Sequence, residues 1–70
     1  MTDEEFRNAA HSLEQHFSED PDMDRNGFET FLTNNAYLTR NMAKTFVRRY
    51  LKEGQDENLK AALRREFSET

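Results

Sequence analysis

Cysteine is absent from this chain of 70 residues, which holds one proline and two glycines. Without thiols there are no disulfides, no zinc-thiolate centres and no thiol nucleophiles, which fits a reducing compartment such as the cytoplasm. No stretch alternates apolar and polar residues as a half-buried strand does, and there is no internal repeat or low-complexity tract. No apolar run approaches the roughly 18 residues of a membrane-spanning helix. The opening Met1-Thr2-Asp3-Glu4-Glu5-Phe6 is acidic where a secretion leader is basic and then apolar. A cytoplasmic protein with neither membrane span nor leader is the expectation.

What the chain does have is charge and helical periodicity. With 34% hydrophobic and 34% charged residues, it reads as one domain over residues 1–70. Its core is expected to be thin, because a domain of about 60 residues buries only about 60% of the surface of its unfolded chain. Thr2 and Glu5 have capping-box spacing, and Phe6, Ala9 or Ala10, Leu13 and Phe17 recur at three and four, which predicts a helix over 3–18. The run Glu19 to Gly27, with Pro21 and three Asp, reads as a loop. Phe28, Phe31 and Leu32 predict a short helix over about 27–34, capped by Asp24 or Asn26. Leu38, Met42, Phe46, Val47, Tyr50 and Leu51 predict a third over about 39–53, with Thr39 at its start and Gly54 as a left-handed terminator. Asp56 then caps a fourth, reaching about residue 67 through Leu59, Ala62, Leu63 and Phe67. The fold class is all-α, a compact four-helix domain. The six Phe are read as core, whereas Tyr37 and Tyr50 carry polar tips able to reach the surface.

Charge is divided along the chain. Residues 1–31 hold nine acids against two bases, a sum of −7, and residues 32–70 hold eight bases against five acids, a sum of +3. In the third helix Arg40, Lys44 and Arg48 follow i, i+4 spacing, and Arg49 and Lys52 widen the stripe. Such a stripe suits phosphates or an acidic partner; it equally suits a solvated face paired with the acidic first helix.

Other constellations carry less chemistry. Asp22, Asp24, Asn26 and Gly27 match positions 1, 3, 5 and 6 of an EF-hand calcium loop, but position 12 is Thr33 and cannot supply the bidentate carboxylate. His11 and His16 are five apart, about 140° around a helix, and do not share a metal as an i, i+4 pair can. Ser12, Ser18 and Ser68 lack a nucleophile elbow, and there is no phosphate-cradling glycine loop. No catalytic residue, metal, cofactor or small-molecule substrate is expected.

Leu38-Thr39-Arg40 and the run Thr45-Phe46-Val47-Arg48-Arg49-Tyr50-Leu51-Lys52-Glu53-Gly54 resemble the recognition helices of transposase and repressor helix-turn-helix proteins. The resemblance implies DNA contact through Thr39, Arg40, Asn41, Lys44 and Thr45. The chain departs from that pattern by inserting residues between Arg40 and Thr45 and by lacking a turn glycine. A broader likeness runs through Glu5-Phe6, Asn8, Ala10, Phe28, Phe31-Leu32 and Asn35-Ala36-Tyr37-Leu38, which resemble the small bacterial YozE family. That likeness spans about residues 5–53 and implies a four-helix, sterile-alpha-motif-like fold and a binding role, with no site residues.

The expectation is therefore a non-enzymatic binding module with a protein partner, a second copy of the chain included, or DNA. Arg40, Asn41, Lys44, Arg48, Arg49 and Lys52 are the candidate contacts. DNA binding by a helix-turn-helix is the sharper alternative. A further one is an acidic mimic of nucleic acid formed by the Glu5 to Asp24 region, as in phage inhibitors of this size and charge.

Overall fold

Each helix begins where a short polar side chain takes up a free amide. In the computed structural model, which describes residues 1–68, Thr2 caps α1 (Asp3–Glu19). Its hydroxyl accepts from the Glu5 N–H at 3.1 Å, and the Glu5 carboxylate accepts from the Thr2 N–H at 2.8 Å. This is the reciprocal capping box expected from the sequence. Phe6, Ala9, Leu13 and Phe17 form the buried stripe of α1, which stops at Asp20, just before Pro21.

The second helix, α2 (Arg25–Asn34), starts two residues before the expected Gly27. The Asp24 carboxylate accepts from the Gly27 N–H at 2.8 Å, and the Arg25 N–H donates to the Glu66 carboxylate at 3.0 Å. That second partner is 41 residues away, beyond the reach of any local pattern.

Between α2 and α3 (Arg40–Glu53) the chain turns without glycine. Tyr37 takes the left-handed conformation, φ 59°, and the Leu38 N–H reaches back to the Leu32 carbonyl at 3.0 Å while the Leu38 side chain enters the core. Holding a bulky residue there costs on the order of 1 kcal/mol or more. Thr39 caps α3, accepting from the Met42 N–H at 3.1 Å.

At the other end of α3, Gly54 does not adopt the left-handed conformation that the sequence suggests. Its φ is −67°, open to any residue. A Cβ at this position would overlap the Tyr50 ring, so glycine is needed for close passage of the backbone. Asp56 then caps α4 (Glu57–Glu66) through the Leu59 N–H at 3.0 Å. Leu59, Ala62 and Leu63 turn inward, and Phe67 lies half-buried just past the helix.

α1 packs on α2, α2 on α3 and α3 on α4. Leu13, Phe28, Leu32, Phe46, Leu59 and Leu63 are sealed at the centre, joined by Met23 from the loop before α2. The Phe46 ring lies 5.3 Å from Phe6 and 5.8 Å from Tyr50, centre to centre, within the range where aromatic pairs gain from tilted or offset geometry. The two tyrosines part company: Tyr37 is 87% exposed, whereas Tyr50 is 1% exposed. The radius of gyration, 10.7 Å, matches the about 11 Å of a compact body of this length. The architecture is an all-α four-helix domain, with no strand among the described residues.

Candidate functional site

The inward stripe of α3 decides what its opposite face presents. Ala43, Phe46, Val47 and Tyr50 are buried against the other helices. At 100° per residue, Arg40, Lys44, Arg48 and Lys52 then fall in a sector of about 120° on the outer side. All four are exposed, with exposed Asn41 and Thr45 beside them. Among the described residues none of the four cations forms an ion pair.

Arg49 stands apart from these. Its guanidinium donates to Asp3 of α1 at 2.8 Å and to Glu53 at 3.0 Å, and it lies 4.2 Å from the centre of the Phe6 ring. The hydrogen bond and charge of Arg49 hold the Asp3 carboxyl below its ordinary pKa, and the carboxylates of Asp3 and Glu53 raise that of Arg49. The six candidate contacts thus separate into five that share an open face and one that ties α3 to the acidic first helix.

Beside the open face lies a cleft that no sequence pattern announces. Lys44 and Arg48 form one rim and Arg25 of α2 the other, over Val47, Leu51 and Phe67, enclosing about 180 Å³. Arg25 pairs with Glu29 at 3.0 Å and sits 5.0 Å above the Phe67 ring. Arg25, Lys44 and Phe67 come from three separate parts of the chain, and only packing brings them together.

A wider groove of about 520 Å³ separates α1 from the end of α3, with Arg7, His11 and Glu14 along it and Tyr50 at its base. The Tyr50 hydroxyl donates to the Glu14 carboxylate at 2.5 Å and accepts from the Asp56 N–H at 3.3 Å. Burial and the Glu14 hydrogen bond push the phenol well above its ordinary pKa, so it stays protonated. A locked, protonated phenol is a fastener between helices and a poor base or nucleophile.

The remaining candidates are placed by their neighbours. Asp24 of the EF-hand-like run spends its carboxylate on capping α2, and that helix occupies all but the first three positions of the twelve-residue loop a calcium site needs. His16 stacks on Phe31 with ring centres 4.5 Å apart, while His11 is exposed. Among the described residues no three His, Asp or Glu side chains gather as a metal site, and no helix is long and apolar enough to cross a membrane. No protein-family model, curated protein or solved structure matches the chain.

Proposed function

We propose that the protein is a small, non-enzymatic helical binding module that docks an acidic protein surface on the outer face of α3. The observation that carries this reading is the set of cations on that face, Arg40, Lys44, Arg48 and Lys52, that have no ion-pair partner among the described residues, in a chain whose net charge is −4. Like charges at i, i+4 repel, so this arrangement is mildly unfavourable in the free protein and becomes favourable against a complementary surface. Complementary charge also raises the rate of encounter and selects among partners.

The test compares the native protein with the double variant Lys44→Glu, Arg48→Glu, using labelled polyglutamate at low and moderate salt. The native protein is expected to bind and the variant to lose binding while keeping its helicity and Tm. A native protein that binds no polyanion at low salt contradicts the proposal.

One observation favours a second reading, DNA binding. Arg40, Asn41, Lys44 and Thr45 occupy the exposed first turns of α3, and a short helix and a tight turn precede it, as in a helix-turn-helix. Tyr37, in its left-handed conformation, takes the place of the missing turn glycine. The resemblance of α3 to recognition helices supports the same reading, whereas the likeness to the YozE family supports a fold. Duplex DNA bound more tightly than polyglutamate, with a steep loss on adding salt, would select it.

A further inference from the structure

The cleft beside α3 combines features that the open basic face lacks. Its base is apolar, formed by Val47 with half-buried Leu51 and Phe67, and its rims are cationic on both sides. Arg25 already has Glu29, whereas Lys44 and Arg48, one helical turn apart, have no carboxylate among the described residues. Its volume, about 180 Å³, is close to that of apolar protein cavities of about 150 Å³ that take up benzene, and so suits one bulky side chain.

We infer that this cleft receives a short acidic peptide segment: one bulky apolar side chain seats on Val47, Leu51 and Phe67, and flanking carboxylates meet Lys44 and Arg48. The inference rests on the protein-docking reading of α3 and names the partner chemistry. Charge complementarity selects the occupant, since Lys44 and Arg48, without a carboxylate partner among the described residues, line one rim of an apolar floor. A nucleic acid satisfies the cations but brings no side chain to fill the cleft. Polyglutamate likewise meets the rims alone. The peptide engages both features, in the way groove-binding segments combine apolar anchors with flanking charge.

The experiment uses the native protein and a labelled peptide of about a dozen residues, rich in Asp and Glu, with one central Phe. A second peptide carries Ser in place of the Phe, and mixed-sequence duplex DNA is the third probe. The Phe peptide is expected to bind at least about tenfold more tightly than the Ser peptide, the equivalent of burying one large side chain. It should shift the resonances of Val47, Leu51 and Phe67, and Lys44→Glu with Arg48→Glu should abolish its binding. Equal affinity for the two peptides, both lost in the charge-reversed variant, would overturn the cleft while leaving the α3 docking face standing. Binding of DNA and neither peptide would overturn the cleft in favour of nucleic acid. No binding of any probe at low salt would overturn both.

Discussion

The guanidinium of Arg49 lies over the Phe6 ring, 4.2 Å from its centre, and is held there by Asp3 at 2.8 Å. Its neighbour Arg48 is exposed and forms no ion pair among the described residues. Two adjacent arginines therefore have separable consequences. Arg49→Ala is expected to lower Tm through lost packing on Phe6 as well as lost charge, and to leave polyglutamate binding close to native. Arg48→Ala should weaken that binding and leave Tm within experimental error. Paired thermal melts and anisotropy titrations check both, and a reversed pattern would reassign the two residues.

Tyr50→Phe removes the donor from the Glu14 carboxylate and is expected to cost about 1 to 3 kcal/mol, seen as a lower Tm at neutral pH. The native protein should also lose Tm on alkaline titration. Burial, and then Glu14, raise the Tyr50 pKa above its ordinary 10.0, so the stability linked to the neutral phenol is complete below pH 10.0 and is lost as pH rises through the raised value. The alkaline loss should be smaller in Tyr50→Phe. Acid acts through other groups: Asp3 and Glu5 are lowered from 3.8 and 4.5, so their contribution is present above those values and lost as pH falls below them.

Two turn positions invert the usual expectation for glycine. Tyr37→Gly removes a strained left-handed residue that is 87% exposed, and is expected to stabilise the fold by roughly 0.5 to 1 kcal/mol. Gly54→Ala, at an unstrained φ, is expected to destabilise by about 1 to 3 kcal/mol because the new methyl meets the Tyr50 ring. Denaturant midpoints moving the other way in either variant would contradict these placements.

Phe46 is completely buried against Phe6 and Tyr50. Phe46→Ala is expected to cost roughly 3 to 5 kcal/mol, a large share of the stability of so small a domain. Far-UV circular dichroism should show a largely unfolded population near body temperature, and an unchanged melt would mean that the ring is not core.

The four helices are legible in the sequence because their signals are local: hydroxyl or carboxylate caps at Thr2, Asp24, Thr39 and Asp56, and apolar stripes at three and four. The early start of α2 is only partly so: the Asp24 cap is local, but the second carboxylate on its first turn, Glu66, is 41 residues away. The turn at Tyr37 is hidden for another reason, since a left-handed tyrosine runs against propensity and is held by the burial of Leu38 and its bond to Leu32. The basic face follows directly from i, i+4 spacing. The diversion of Arg49 does not, because it depends on where α1 lies. The cleft is the least legible feature, its parts being separated along the chain by twenty residues or so and joined only by packing.

The most direct measurement is a two-dimensional amide NMR titration of the labelled protein with polyglutamate at low salt, repeated with mixed-sequence duplex DNA and at moderate salt. Shifts concentrated at Arg40, Asn41, Lys44, Thr45, Arg48 and Lys52, with Arg49 and the amides of α1 little changed, are the expected result. A well-dispersed spectrum with no shifts from either polyanion, or with shifts confined to the acidic face of α1, would contradict the assignment of α3 as the docking surface.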